Sequence, residues 1–190
     1  MLVNIHEIEA SGNLAKAWDV SREQVDEMVS GEKAGFRATA PAHVQARLRL
    51  VDRRVLIEAS SRVQLSCPCG RCLAPASIEL PVDFELTLVP LDEYQDEPRK
   101  SRDREAEKTP VAGSFETANV DEDTYQGKTI DLDPIYREQL LLALPGYPVC
   151  QEGCKGLCPV CGTNLNERDC GCDPHVPDPR WAGLKKLKLQ

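Results

Sequence analysis

Ala42-His43-Val44-Gln45-Ala46-Arg47-Leu48-Arg49-Leu50 places an apolar side chain at every second position. That period of two marks a half-buried β-strand, because successive side chains of an extended chain point to opposite faces. After an Asp52-Arg53 turn the alternation resumes: Val55, Ile57, Ala59, Val63 and Leu65 share one face, Arg54, Glu58, Arg62 and Gln64 the other, and Leu56 falls on the polar side. A third run follows with Ile78, Leu80, Val82, Phe84, Leu86 and Leu88. Together they predict an α+β fold, either an antiparallel β-meander or a small, partly open barrel, whose one apolar face needs a cover. Ile135 to Leu144 supplies part of that cover as a helix, with Asp133 as its N-cap and Pro134 at the first helical position.

Of 190 residues, 41% are hydrophobic, enough for a modest core in one domain with an appendage. The reading divides the chain into an α+β core domain at 1–149, with an acidic insertion or linker at about 91–129, and a Cys-rich zinc-binding segment with a basic C-terminal helix at 150–190. A net charge of −8 argues against indiscriminate binding to polyanions, but the charge is unevenly placed. Phe36 to Cys72 carries seven arginines against Asp52 and Glu58, a net of +5, whereas Leu91 to Thr129 sets eleven carboxylates against six basic residues, a net of −5. The acidic stretch has few apolar groups to bury and reads as a mobile insertion.

If the first two strands form a hairpin, Arg47, Arg49, Arg54 and Arg62 project from one solvated face as a phosphate footprint. With Arg71 and the tail lysines Lys185, Lys186 and Lys188 they are the candidate RNA contacts. The competing reading is an ordinary charged strand face, for which Glu79, Asp83 and Glu85 offer ion-pair partners. Aromatic residues are absent from the arginine face, so RNA contact there would run through phosphate and shape rather than base stacking.

Six cysteines fall between Cys150 and Cys172: Cys150, Cys154, Cys158, Cys161, Cys170 and Cys172. Cys158-Pro159-Val160-Cys161-Gly162 is a tight turn that presents two sulfurs to one ion, and Cys170-Gly171-Cys172 can supply the other half of a tetrahedral zinc site. A second group, Cys67-Pro68-Cys69-Gly70-Arg71-Cys72, joins the second strand to the third. Its Cys69 and Cys72 have knuckle spacing and are either half of a metal site completed by the C-terminal cysteines or buried thiols at a hairpin end. One or two structural zinc ions are expected. Disulfides are the bland alternative, but the chain opens Met-Leu-Val-Asn-Ile-His-Glu with no basic or apolar leader pattern, which points to a cytoplasmic, reducing setting. A redox pair is another alternative, yet it should sit between a strand and a helix, whereas this cluster lies among Gly, Pro, Asn and Asp. His175 could also be a ligand beside Cys172, but the thiolates suffice without it.

The chain ends with Asp178 and Pro179 opening a short amphipathic helix through Trp181, Leu184 and Lys188, read either as a basic tail that docks on RNA or as a helix packed on the domain. No apolar stretch is long enough to span a bilayer, so no membrane partner is expected. His6, His43 and His175 lie beside no nucleophile motif, and neither a phosphate-cradling glycine loop nor a Walker lysine occurs, which argues against an enzyme.

Cys69-Gly70-Arg71-Cys72-Leu73 after a strand, Ile130-Asp131-Leu132, Leu141-Leu142-Ala143-Leu144-Pro145, Cys154-Lys155-Gly156-Leu157-Cys158-Pro159-Val160-Cys161-Gly162 and the closing Asp178-Pro179-Arg180 with Leu184 occur in an order that resembles the YceD family of large ribosomal RNA subunit accumulation proteins. The resemblance implies a bacterial or plastid factor that supports 23S ribosomal RNA accumulation in ribosome biogenesis, with ribosomal RNA or a preribosomal particle as partner. Members differ in their cysteines, so zinc would be a local staple of this chain. An adaptor is the alternative: the acidic insertion would dock a large-subunit ribosomal protein or an assembly factor, and RNA levels would change indirectly. A thiol redox sensor is a third reading and would need a reversible disulfide.

Overall fold

The computed structural model describes residues 1–32, 34–91 and 122–173. In chain order its elements are β1 (Leu2–Asn4), α1 (Ile5–Ser11), β2 (Asn13–Val20), α2 (Arg22–Val29), β3 (Arg37–Ala38), β4 (Ala42–Val51), β5 (Arg54–Pro68), β6 (Pro75–Pro90), β7 (Glu122–Tyr125), β8 (Thr129–Asp131) and α3 (Asp133–Ala143). They belong to two compact units, one of Met1–Ser66 and Ile78–Pro145, the other of Cys67–Ser77 and the chain from Gly146 onward.

In the first unit, the alternating stretch is β4, and it pairs antiparallel with β5 from His43↔Arg62 to Val51↔Arg54. The two residues between them, Asp52 and Arg53, both have positive φ (48° and 65°). Such a turn matches the right-handed twist of the strands it joins. The sheet runs β2-β4-β5-β6-β7, with β3 added against β5, and it is open rather than a barrel. The meander was legible, but its flanks were not. β2 pairs antiparallel with β4 along Asn13↔Arg49 to Val20↔Ala42, and β7 lies parallel to β6 from Thr87↔Glu122 to Pro90↔Tyr125. β7 therefore occupies the end of the stretch read as a mobile insertion; residues 92–121 of that stretch lie outside the described residues.

The inner face of the sheet buries Ala46, Leu48, Val55, Ile57 and Ala59, with Ile5 and Ile8 of α1 and Ile135 of α3 in the same cluster. Each fully buried Val, Leu or Ile among them contributes roughly 1.5–3 kcal/mol. The predicted cover is real, but its cap differs. Leu132 is the N-cap and makes no side-chain cap bond. Asp133 lies inside the helix, and its amide N–H donates to Asp131 Oδ1 at 3.0 Å. The Asp133 carboxylate is held instead by the Met1 ammonium at 2.7 Å. α2 carries a capping box between Ser21 and Gln24, a signal present in the sequence as S-x-x-Q and left unused above. Tyr136 is buried and shares a 2.8 Å hydrogen bond with the hydroxyl of Ser61. Burial raises the Tyr136 pKa. No helix among the described residues is long and apolar enough to cross a membrane.

Candidate metal centres

All nine cysteines are free thiols, and eight of them fall into two groups of four, Cys69, Cys72, Cys150 and Cys154, and Cys158, Cys161, Cys170 and Cys172. Within each group the sulfurs lie within 4.8 Å of one another. Both groups belong to the second unit.

The first group is built on the turn between β5 and β6. Cys69 N–H donates to Ala74 O at 2.8 Å, and Leu73 N–H returns to Cys69 O at 3.0 Å, which closes a tight loop around the Cys69 sulfur. Two amides then point at that sulfur, Arg71 N–H at 3.4 Å and Cys150 N–H at 3.3 Å. The second pair of thiols comes from 78 or more residues further along the chain. Gly70 N–H donates to Pro148 O at 2.8 Å, and Arg71 Nη1 donates to Cys154 O at 3.0 Å and Glu152 O at 3.4 Å. Arg71, a candidate RNA contact from sequence, therefore spends its guanidinium on pinning the 152–154 loop beside its own knuckle. Asn166 Nδ2 donates to Cys154 Sγ at 3.3 Å, and Asn166 Oδ1 accepts from Lys155 N–H at 2.8 Å.

The spacing of the sulfurs suits a shared ion better than a disulfide. Cys69 Sγ lies 3.9 Å from Cys154 Sγ, and Cys72 Sγ 3.7 Å from Cys150 Sγ. A disulfide would put them at about 2.05 Å. Four sulfurs around a tetrahedral ion with bonds of about 2.3 Å stand about 3.8 Å apart. The donor set therefore fits a thiolate-bound ion. Amides, first that of Cys72, hold the Cys69 thiol down at about 6, while burial and the neighbouring thiols push Cys150 up to about 12. Sulfurs this close cannot all carry charge without a cation among them, and a coordinated ion deprotonates them outright.

The second group repeats the first knuckle. Val160 N–H points at Cys158 Sγ at 3.4 Å, as Arg71 N–H does at Cys69, and Gly162 N–H donates to Cys158 O at 2.9 Å, as Leu73 N–H does to Cys69 O. The residue after the second cysteine is left-handed in both turns, Gly162 at φ 73° and Leu73 at φ 62°. Glycine takes that conformation freely, whereas a leucine there costs about 1–3 kcal/mol. Cys161 Sγ and Thr163 Oγ1 share a 3.2 Å hydrogen bond, and the Thr163 side chain is the main cause that holds Cys161 down at about 6; interaction with Cys161, and then Cys170, pushes Cys172 up to about 12. Between the two groups Gly156 sits at φ 77°, where an added Cβ would lie 3.1 Å from Arg71 O. Cys67, the ninth cysteine, is buried outside both groups, and burial raises its pKa.

In the first unit, the four candidate arginines of the sheet do share its outer face, since Arg47 opposes Glu58, Arg49 opposes Leu56 and His43 opposes Arg62. They are not a bare cationic patch. Arg49 pairs with Glu58 at 2.6 Å and Arg62 with Glu79 at 3.2 Å. His43 Nδ1 meets Asp19 at 2.7 Å. Arg47 lines a groove of about 730 Å³ on this face, floored by Ala15, Ala17 and Ser60 and edged by Asp83 and Glu85. Lys185, Lys186, Lys188, His175 and the C-terminal helix lie outside the described residues. Sequence reasoning passed over Asn166, Thr163 and Tyr147; the Asn-x-Asn of 164–166 just after a Cys-x-x-Cys-Gly turn was the available signal for the first.

A family model described as large ribosomal RNA subunit accumulation protein YceD matches residues 57–188, a span that holds all nine cysteines. An uncharacterized protein of Mycobacterium tuberculosis is 30% identical over 163 residues, covering 78% of this chain and 70% of the relative. The chloroplastic large ribosomal RNA subunit accumulation protein YCED homolog 1 of Zea mays is 26% identical over 168 residues, covering 83% of this chain and 56% of its own. Its counterpart in Arabidopsis thaliana is 35% identical over 63 residues, covering 33% of this chain and 20% of its own. No solved structure matches. The chain belongs to the YceD family of large ribosomal RNA subunit accumulation proteins.

Proposed function

We propose that this protein is a non-enzymatic cytoplasmic factor that supports accumulation of 23S ribosomal RNA by binding RNA or a preribosomal particle. The observation that carries the reading is the family match over 57–188, within which both four-cysteine groups lie. Each group would hold a structural zinc ion. With four thiolates as ligands, such an ion keeps no open position for water and does no Lewis-acid chemistry, so its task is to fix the knuckles that carry the contact residues. What the chain's own residues supply is orientation: Arg71 clamps the 152–154 loop, and Asn166 ties the second knuckle's loop to the Cys154 sulfur.

The ion pairs of the outer sheet face limit what its arginines contribute. A paired guanidinium releases few counterions when it meets a phosphate, so the salt dependence of RNA binding is expected to be shallower than four free arginines would give.

The test has two parts. Depleting the protein in its host should lower the ratio of large- to small-subunit ribosomal RNA, and the purified metal-loaded chain should retain ribosomal RNA in a filter-binding or mobility assay. Normal ribosomal RNA levels after depletion would overturn the proposal. Loss of RNA accumulation with no affinity for RNA or for precursor particles would overturn its direct-binding part.

A further inference from the structure

The two knuckles are alike in backbone and unlike at one position. Where the second uses Gly162, the first carries Leu73 in the same left-handed conformation, with its side chain 65% exposed. This leucine is unfavourable twice over, once for its backbone and once for showing an apolar side chain to water. It does nothing for the turn that glycine would not do better, since the turn uses only its N–H. Tyr147 lies over the same knuckle. Its ring packs on Gly70, where an added Cβ would come within 2.9 Å of ring atoms, and its hydroxyl donates to Gly70 O at 2.8 Å. The ring is thus fixed in place yet remains 61% exposed.

We propose that Tyr147 and Leu73 form a platform on the first knuckle that takes an unpaired base of single-stranded RNA. This inference rests on the RNA-binding reading above and gives it a site. Single-stranded RNA is recognised by stacking splayed bases on exposed aromatic rings, and zinc knuckles are among the modules that do so. A ring clamped at its hydroxyl end loses little freedom when a base stacks on its open face, and Leu73, exposed on the same knuckle, adds apolar surface for the base to cover. The basic groups of segments 67–77 and 146–157 are Lys155, which is exposed, and Arg71, whose guanidinium is bonded to the Glu152 and Cys154 carbonyls; Glu152 is the one carboxylate there. Among the described residues, the outer face of the sheet, with its arginines partly paired to carboxylates, carries no Phe, Tyr or Trp side chain.

The experiment uses the full metal-loaded chain, a short labelled single-stranded RNA of mixed sequence, and the same RNA annealed to its complement. Wild type should prefer the single strand. Tyr147→Leu should weaken binding to the single strand about five- to 150-fold, the loss of one base–aromatic stack, and leave binding to the duplex unchanged. Leu73→Gly is the sharper variant, because it relieves the left-handed leucine: metal content should stay the same, the melting temperature should hold or rise, and RNA binding should still fall. Equal RNA binding by wild type and both variants would overturn the platform while leaving RNA binding itself intact. No RNA binding by wild type would overturn both. Variants that keep their affinity for RNA but no longer sediment with large-subunit precursors would overturn the base platform in favour of a protein-docking one.

Discussion

The two cysteine centres have the same knuckle and different foundations. The first draws Cys69 and Cys72 from the β5–β6 turn and Cys150 and Cys154 from beyond Gly146, and three of its four cysteines are buried. The second is assembled from Cys158 to Cys172 alone; only Cys158 is buried, and Cys161 is exposed. A metal that closes a long loop removes more freedom from the unfolded chain than one that closes a short loop, and a buried centre sheds its ion only when the surrounding chain opens. The first centre should therefore hold the unit together, while the second trims and orients it.

Substitution should expose that difference most strongly. Wild type is expected to contain two zinc ions per chain by elemental analysis, one for each group of four cysteines. Cys69→Ser should remove the ion of the first centre together with the folded arrangement of the β5–β6 turn on the chain around Cys150 and Cys154, because structural zinc of this kind supplies about 10–16 kcal/mol of apparent binding energy. Cys161→Ser should also lose one ion but keep the first centre filled and the unit folded. Equal collapse in the two variants, read by circular dichroism and proteolysis, would break the asymmetry.

Kinetics give the next test. Challenged with a chelator that reports zinc by colour, wild type should release metal in two phases. Cys161→Ser should lose the fast phase, and a single phase would mean that the two centres open together. Gly156→Ala comes third: it strains a left-handed position and presses a Cβ onto Arg71 O, so it should destabilise by about 1–3 kcal/mol and speed the slow phase. The smallest expected effect lies in the other unit. Tyr136→Phe leaves the Ser61 hydroxyl buried without its partner, at a cost of about 1 kcal/mol in thermal or denaturant unfolding, with metal content and release unchanged. A change in metal release would show that the sheet and the centres are energetically coupled.

How much was legible depended on how local the information is. The β4 and β5 strands were readable because alternation is written into adjacent residues, and the second knuckle because Cys158 and Cys161 lie within one turn of chain. β2 was not readable: Leu14, Lys16 and Trp18 face inward only in pairing with β4, and Lys16 spoils the alternation while its ammonium pairs with Glu7. The helix start was misplaced because Asp133, a good cap by type, is held by the Met1 ammonium instead.

By itself the sequence determined the meander, its inward face, the covering helix and the knuckle spacing, since each is a property of a few consecutive residues. Only the tertiary structure decided which four thiols are gathered together, because Cys69 and Cys72 meet Cys150 and Cys154 across a separation in the chain that spacing cannot bridge. It likewise decided that the outer-face arginines are partly spent on carboxylates and that Arg71 is a clamp. Those roles depend on which strand lies alongside and which loop folds back, and both follow from the packing of distant segments rather than from any local pattern.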